Sequence, residues 1–434
     1  MSLIIYTKKE TTRLNYAVNL LFKWVYKLDF KLTTDIKEVE TFTGAKLNFS
    51  VEELTNCLQI GPARLIFERE VKSPFLKMGK WEELPIFFET KGDIPFDVFS
   101  AAFYLAVRYE EYTPHKTDDL GRFDFKDSLA FKENFLQLPL INLWAAKLLE
   151  KLKEKFPSFN INQKKYKFVP TIDVDNAFAY KNKGFVRTAG AYTRSFFSGD
   201  FEDVVERSQV IFGNKPDPFD VFEKIIEIEK KYHLKQLLFF LLGDYDVNDK
   251  NVPPGNKNFQ RLIKDVNDYV EVGIHPSFAS NQQREKLKLE IDRLSSITHR
   301  DVTKSRQHFL VLMFPTTYRN LIETGITDDY SMGYPQHPGF RASIADVYPF
   351  YDLELEKETK LMIHPFAAME ATFKYYQSKK PNEVVAEITK IAEEVKKVNG
   401  VFYLLWHSDT LSGHNHWKGW QNLYEEVLNA CAKI

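Results

Sequence analysis

The strongest constraint on the fold is an alternation of two patterns that begins near residue 166. Apolar runs of strand length, at 168–175, 236–242 and 401–406, alternate with stretches whose apolar side chains recur every three or four residues. Strand-like runs that alternate with helical periodicity are typical of parallel βα units. The sequence therefore predicts an α/β domain with parallel strands at 166–434.

The first 160 residues follow a different pattern. An amphipathic helix is predicted around 14–28, short strands at 46–51 and 64–67, and further helices at 96–112 and 141–156. A polar linker at 162–167 separates this part from the rest. The sequence therefore predicts a smaller α+β N-terminal domain at 1–160, and its residues show no catalytic spacing.

Composition narrows the functional classes. The chain has 434 residues, a net charge of -1, 44% hydrophobic and 27% charged residues, which is the composition of a globular protein. A near-neutral chain has no bulk attraction to nucleic acid or to an anionic membrane, so neither partner is expected. The oligomeric state stays open.

Two further features bear on compartment and cofactor. Cys57 and Cys431 are the only cysteines, so a disulfide framework and a cysteine-based zinc site are excluded. The apolar runs are too short to span a bilayer, and the first residues lack the order of a signal peptide. We therefore expect a cytoplasmic protein without a membrane span.

Four short motifs, each beside an apolar run, carry the chemistry. They contain Asp173 and Asp175, His275, Arg306 and His308, and His407. Alternate residues of a strand share a face, so Asp173 and Asp175 can meet at one site, where mutual repulsion favours either a bound cation or a raised pKa on one of them. Carboxylates, imidazoles and one guanidinium near successive strand ends are the groups that a metal-dependent hydrolase needs.

Each motif alone has a plainer interpretation. The two aspartates could cap the helix that follows, and His275 could be a surface residue in a turn that begins at Pro276. Their common order along the chain favours the functional interpretation.

The order and residue types of the four motifs resemble the polysaccharide deacetylase superfamily (NodB-homology, carbohydrate esterase family four-like), as a divergent branch with an extra N-terminal domain. The motifs are Thr171-Ile172-Asp173-Val174-Asp175, Gly273-Ile274-His275-Pro276-Ser277, Ser305-Arg306-Gln307-His308 and Leu405-Trp406-His407-Ser408. The resemblance spans about 166–425. It implies a distorted (β/α) barrel with fewer than eight full units, a divalent metal ion with zinc as first choice, and removal of an acyl (N-acetyl) group from a carbohydrate.

The resemblance also implies roles for single residues. Asp173 would be the general base and Asp175 a metal ligand, although the intervening Val174 leaves a swap of these roles open. His275 would be a second ligand. Arg306 would pair with the aspartate base and hold its orientation, and His407 would be the general acid.

One ligand of the family pattern is missing. The family has a second histidine four positions after the first, where this chain has Ala279. We predict that His308 replaces it as the third metal ligand, because Arg306 and His308 would alternate on one strand, which is predicted at 306–312. His337 and His364 are the competing candidates.

The substrate contacts are predicted in two places. Tyr330, Tyr334 and Arg341 lie in a turn-rich segment where the family's fourth motif contributes groove residues, and Trp406 precedes the final histidine. A structured loop packed on the barrel is the alternative for that segment.

Three functions remain open from the sequence. The first is metal-dependent deacylation of a carbohydrate. The second is an inactive deacetylase-like barrel that binds glycans, which Ala279 favours. The third is a glycoside hydrolase on a related barrel, which would use two carboxylates and no metal.

Overall fold

The computed structural model describes residues 2–161 and 163–434. Asn162, the first residue of the predicted linker, lies outside the described residues.

Strands form two larger sheets and one hairpin. The strands are β1 (Leu3–Thr7), β2 (Phe30–Thr33), β3 (Ala45–Phe49), β4 (Leu58–Ile60), β5 (Gly79–Trp81), β6 (Leu84–Ile86), β7 (Lys167–Val174), β8 (Leu237–Leu241), β9 (Glu271–His275), β10 (Lys304–Ser305), β11 (Asp328–Asp329), β12 (Tyr348–Asp352), β13 (Lys357–Ile363), β14 (Phe366–Met369) and β15 (Val401–His407).

Helices alternate with these strands over most of the chain. The α-helices are α1 (Thr12–Val18), α2 (Ile36–Thr41), α3 (Val98–Ala106), α4 (Leu129–Lys132), α5 (Leu140–Lys155), α6 (Phe185–Phe197), α7 (Phe201–Ile211), α8 (Phe222–Tyr232), α9 (Lys257–Asn267), α10 (Arg284–Thr298), α11 (Thr316–Glu323), α12 (Pro381–Lys397) and α13 (Leu423–Ala432). Short π-helical turns cover Asn19–Trp24 and Thr372–Tyr376, and 3₁₀ turns include Leu65–Phe67, Tyr109–Tyr112 and His308–Leu310.

The first sheet belongs to the N-terminal part of the chain. Its four strands are parallel in the order β2-β1-β3-β4. The strand predicted at 64–67 is wrong, because Leu65–Phe67 form a 3₁₀ turn whose Leu65 and Ile66 are buried. A short apolar run does not distinguish these two structures.

The second sheet positions the site. Its order is β12-β13-β11-β10-β9-β8-β7-β15-β14, and its strands are parallel except where β12 pairs antiparallel with β13. All five residues of β8, Leu-Leu-Phe-Phe-Leu, are buried, as expected for a parallel strand with both faces covered. The predicted α/β class is confirmed. Among residues 2–161 and 163–434 no strand pairing joins the two edges β12 and β14, so closure into a barrel stays a prediction.

The unit α12–β15 illustrates how the sequence builds this sheet. Pro381 occupies the first position of α12, where its missing N–H costs nothing, and Val384, Ile388 and Val395 turn one face of the helix into the core. The chain then returns as β15, which pairs in parallel with β7 from Val401↔Lys167 to His407↔Asp173. This pairing brings two of the four motifs side by side.

The two sheets are joined by extensive packing. One continuous hydrophobic core includes residues of both, and the Tyr16 hydroxyl donates to the backbone oxygen of Pro349 at 2.9 Å. Asn142 Nδ2 donates to the carboxylate of Asp346, and its Oδ1 accepts from the backbone N–H of Ala345. The division into domains at 1–160 and 166–434 stays a prediction.

Within the part of the chain that the structure describes, we find no helix that combines the length and the apolar character needed to cross a bilayer.

Candidate active site

The carboxyl ends of neighbouring parallel strands bring the predicted motifs together. Asp173 is the penultimate residue of β7, and His275 and His407 are the last residues of β9 and β15. β8 lies between β7 and β9, with Leu241 opposite His275, while His407 lies opposite Asp173. The carboxyl ends of parallel strands are where α/β proteins place their ligand sites.

Asp175, His275 and His308 form a cluster with the spacing of metal ligands. The Nε2 atom of His275 lies 3.1 Å from Oδ1 of Asp175, and Nε2 of His308 lies 3.7 Å from its Oδ2. One potential ligand atom from each residue lies within 4.8 Å of the others. The structure thus brings the three predicted ligands to one point.

The second ring nitrogen of each histidine is held by an acceptor. His275 Nδ1 donates to the backbone oxygen of Arg306 at 2.5 Å, and His308 Nδ1 donates to Oδ1 of Asp249 at 2.8 Å. The Asp249 carboxylate also accepts from the backbone N–H groups of Phe278 and Ala279. Because Nδ1 carries the donated proton, Nε2 of each ring is available toward Asp175, which is the usual arrangement of metal-binding histidines.

The electrostatics of the cluster suit a cation. Burial raises the pKa of Asp175, but the nearby imidazoles of His308 and His275 outweigh it and hold the pKa well below its usual range. Burial lowers the pKa of His308, but the carboxylates of Asp175 and Asp249 outweigh it and raise the pKa to about 9.

One buried atom in the cluster supports this further. Asp175 Oδ1 is a buried atom without a hydrogen-bond partner among the described residues, although Nε2 of His275 lies 3.1 Å from it. Two imidazole nitrogens and a carboxylate with an unsatisfied buried oxygen fit a divalent metal ion.

Arg306 fixes the other aspartate. Its NH1 donates to Oδ1 of Asp173 at 2.9 Å, its NH2 to the hydroxyl of Thr171 and its Nε to the backbone oxygen of Tyr330. The guanidinium lies 4.7 Å from the centre of the Phe239 ring. Because Arg306 is fully buried and already engaged in these contacts, it orients Asp173.

His308 reaches the cluster by a route that differs from the prediction. A strand over 306–312 is wrong, since β10 ends at Ser305 and His308 begins a 3₁₀ turn. Phe309 and Leu310 both have a φ of 57°, in the left-handed region that residues other than glycine rarely adopt. This strained turn, and not strand alternation, places the imidazole of His308 beside Asp175.

His407 has a carboxylate partner of its own. Its Nδ1 lies 2.8 Å from Oε1 of the fully buried Glu370, and its backbone N–H donates to the same oxygen. Burial lowers the pKa of His407, but the carboxylates of Glu370, Asp175 and Asp173 outweigh it and hold the pKa well above its usual range. These carboxylates therefore favour the protonated form of the imidazole, whose Nε2 lies 4.0 Å from Oδ2 of Asp175.

All five of these groups border one cavity of about 210 Å³. Asp173, Asp175, His275, His308 and His407 line it. The remaining wall includes Asp409, Tyr375, Tyr376, Trp417 and Arg122. Trp417 Nε1 donates to Oδ2 of Asp409 at 3.0 Å.

The structure does not bring the four predicted substrate contacts to this cavity. Tyr330 stacks on His364 with ring centres 4.1 Å apart, and the Tyr334 hydroxyl accepts from Arg108. Arg341 pairs with the buried Glu111. Trp406 is fully buried against Tyr424. All four side chains are buried and bound to other parts of the protein.

The two competing ligand candidates also lie elsewhere. His364 is bound between Asp328 and the Tyr403 hydroxyl, and His337 packs against Phe125. Neither lines the cavity.

The sequence interpretation missed three groups of the site. Glu370 directly follows the apolar strand β14, which is the same strand-end signal that identified His275 and His407. Asp409 lies two residues after His407, one position beyond the fourth motif. Asp249 lies in an aspartate-rich loop with no periodic signal, so only the fold could identify it.

Comparison with known proteins gives limited matches. Residues 3–157 match a family of unknown function, DUF7033. No curated protein sequence matches the chain.

Solved structures show weak similarity. A candidate polysaccharide deacetylase from Mycobacterium smegmatis is 14% identical with a TM-score of 0.39, over 62% of this chain and 85% of that one. The polysaccharide deacetylase Bc1974 from Bacillus cereus is 12% identical with a TM-score of 0.31, over 62% and 88%. BA3943, a CE4 family pseudoenzyme from Bacillus anthracis, is 12% identical with a TM-score of 0.29, over 61% of each chain. TM-scores this low do not carry a functional assignment.

Proposed function

We propose that this protein is a metal-dependent hydrolase that removes an acyl group, typically N-acetyl, from a carbohydrate. The observation that carries the proposal is the convergence of Asp175, His275 and His308 on one wall of a cavity. Asp173, which is paired with Arg306, and His407, which is paired with Glu370, border the same space. A cation site, a base and an acid around one cavity are the parts of hydrolytic metal sites.

Asp175, His275 and His308 would hold the ion. A divalent ion bound there supplies Lewis-acid activation of a carbonyl oxygen and of water. Zinc suits the mixed imidazole and carboxylate donors. The acceptors on the second nitrogens, the Arg306 backbone oxygen and Asp249, keep both rings oriented toward Asp175.

Asp173 is the base that takes the proton of the attacking water. One of its oxygens accepts from Arg306, and the other lies 3.8 Å from Nε2 of His275, on the side of the metal ligands. The buried guanidinium keeps this carboxylate in a single orientation, so the free oxygen stays directed at the place where water is activated.

His407 donates a proton to the departing amine. Its pKa is held well above the usual range, and its Nε2 borders the cavity while Nδ1 is bound to Glu370. Glu370 therefore positions the ring and stabilises its charged form. An amide needs such a donor more than an ester does, because an amine is the poorer leaving group.

The aromatic wall supports a sugar as the substrate. Trp417, Tyr375 and Tyr376 line the cavity together with the charged groups. Aromatic faces bury the apolar face of a small polar molecule while hydroxyl and indole groups hydrogen-bond its rim. The volume of about 210 Å³ is below the usual range for drug-sized ligands, which favours a single sugar unit in the site.

Acetate release from a panel of N-acetylated sugars and glycans, with and without a chelator, tests the proposal. We expect release that the chelator abolishes and that added zinc restores. Activity that survives the chelator would contradict the metal-dependent mechanism. Reducing sugar without acetate would indicate a glycoside hydrolase instead.

A further inference from the structure

The cavity contains one basic side chain that the proposed mechanism does not use. Arg122 is the only lysine or arginine that lines it among the described residues. It belongs to the segment between α3 and α4, in the N-terminal part of the chain, where Thr117 and Phe123 form an isolated β-bridge. The region that carries no catalytic motif therefore completes the wall of the site.

Three contacts hold the Arg122 guanidinium in place. Its Nε donates to Oδ2 of Asp118 at 2.7 Å, and its NH1 donates to the backbone oxygen of Phe309 at 2.9 Å. Its NH2 donates to the Tyr376 hydroxyl over a long 3.5 Å. Asp118 is itself fixed by Gln336 Nε2 at 2.7 Å. Arg122 is 5% exposed, so these contacts hold the guanidinium in a buried position.

The guanidinium retains unused donor capacity. It has five N–H groups, and the three contacts use one on each nitrogen. The remaining N–H groups, one on NH1 and one on NH2, have no partner among residues 2–161 and 163–434. Donors on the two terminal nitrogens of a fixed guanidinium match the two oxygens of a carboxylate.

The location of Arg122 relative to the metal ligands is set by the backbone. Phe309, whose carbonyl oxygen accepts from Arg122, directly follows His308 in the strained turn. A ligand that reaches the Asp175–His275–His308 cluster therefore lies within the same small cavity as Arg122.

The charges of the cavity wall indicate where an anion would bind. Apart from Arg122 and the histidines, its charged side chains are the carboxylates of Asp173, Asp175 and Asp409. These repel an anionic group, whereas the Arg122 end attracts it. Asp118 already offsets much of the charge of this buried guanidinium, but the two remaining N–H groups still lack acceptors, and an anionic acceptor satisfies them better than a neutral one.

We propose that Arg122 binds a carboxylate on the sugar, so that the substrate is an acylated acidic sugar and not a neutral one. This inference rests on the proposed function for the identity of the reaction, but the anion site itself rests on Arg122, Phe309 and Tyr376. Arg122 is then a specificity-determining residue contributed by the N-terminal region.

The test compares N-acetylmuramic acid with its methyl ester, which differ in one negative charge. Binding to the zinc-loaded protein is followed by calorimetry. We expect the acid to bind about tenfold to a hundredfold more tightly than the ester, the range of a charge-assisted hydrogen-bonded pair. In Arg122→Met this preference should disappear, and in the control Lys126→Met, an exposed lysine of the same segment, it should remain.

Three results would overturn the inference: no preference in the unmodified protein, a preference that survives in Arg122→Met, or loss of the preference in Lys126→Met. A surviving preference would place the carboxylate on the metal. If Arg122→Met does not fold, Arg122→Lys serves in its place, with an expected reduced preference because lysine lacks the paired donors.

Acetate release measured on the same samples separates this inference from the proposed function. An Arg122-dependent preference without any acetate release would leave the anion site standing and remove the hydrolase proposal. Equal acetate release from the acid and the ester, by the unmodified protein and by Arg122→Met, would support the hydrolase proposal and contradict the anion site.

Discussion

A buried imidazole can bind a metal only if the fold directs one ring nitrogen at the site and engages the other with an acceptor. In this site the backbone oxygen of Arg306 and the Asp249 carboxylate do that for His275 and His308. Asp249 is further fixed by the N–H of Ala279, the position where the resembled family has its second histidine. Ala279, which cannot itself be a ligand, thus helps through its backbone N–H to position His308, the side chain that we propose as the third ligand.

Asp249 should therefore affect metal affinity without touching the metal. In Asp249→Asn the charge that fixes His308 is lost, and we expect zinc affinity to fall about tenfold to a hundredfold, the usual cost of losing such a partner. Competition with a chromophoric chelator measures this. Asp246→Asn, an exposed aspartate in the same loop, is the matched control and should bind zinc as the unmodified protein does. Equal affinities in the two variants would contradict the role of Asp249.

Metal binding should also depend on pH in a defined direction. The raised pKa of His308, about 9, means that Nε2 carries a proton at neutral pH in the absence of metal. The ion must displace that proton, so affinity should rise with pH up to about pH 9, by at most about tenfold per pH unit for one proton. Calorimetry in buffers of different ionisation enthalpy should detect proton release at pH 7. Uptake of a proton, or affinity that falls as pH rises, would contradict the assignment of His308.

The sequence predicts which residues belong to the site better than it predicts which residues hold them in place. Asp173, Asp175, His275 and His407 could be chosen because each ends or follows an apolar strand. The partners of those residues come from loops or from distant segments, as with Asp249 and Arg122. No local pattern connects residues 186 positions apart, such as Arg122 and His308.

Between elements, a buried ionic network joins the N-terminal part to the second sheet. Arg108 and Arg341 both bind Glu111, at 2.7 Å and 2.5 Å, and Arg108 also contacts the Tyr334 hydroxyl and the backbone oxygen of Arg341. Burial raises the pKa of Glu111, but the two guanidinium groups outweigh it and keep the pKa below its usual range. Arg341, proposed from the sequence to contact substrate, is thereby fully engaged inside the protein.

Glu111→Gln should consequently destabilise the fold. Loss of the carboxylate leaves two buried guanidinium groups without their partner, so we expect the free energy of unfolding to fall by about 3–5 kcal/mol. Denaturant unfolding measures the change, and Glu133→Gln at an exposed position is the control.

Turnover separates this structural role from substrate binding. Arg341→Met should lower stability by a similar amount while the folded fraction keeps its KM. A raised KM with unchanged stability would return Arg341 to the substrate-binding residues.

Some helices and strands can be predicted from the sequence and others cannot. β8, β9 and β15 follow from apolar runs of strand length, and α12 from its periodicity and its first-turn proline. The strand expected at 306–312 does not form, because His308–Leu310 turn through left-handed backbone angles. The apolar residues of this segment do not indicate such a turn. Tertiary contacts hold the strained turn in place, among them the hydrogen bond from Arg122 to the backbone oxygen of Phe309.

For the whole molecule, the α/β class can be predicted from the alternation of strand-like and helical patterns in the sequence. The order of the strands in the sheet cannot be predicted from that alternation. The chain forms a nine-stranded sheet with β7 in its interior and β12 and β14 at its edges. The N-terminal region, which shows no catalytic motif in the sequence, shares the core of this sheet and contributes Arg122 to the cavity. A combined role of this kind becomes visible only when the two sheets are seen packed together.

The central claim is that Asp175 belongs to the metal site and His407 to proton transfer. The most direct test is to measure zinc content and acetate release on the same preparations of Asp175→Ala and His407→Ala. We expect Asp175→Ala to lose both the metal and the activity, and His407→Ala to retain the metal while amide cleavage slows by about a hundredfold or more. Metal retained in Asp175→Ala, or lost in His407→Ala, would contradict the account.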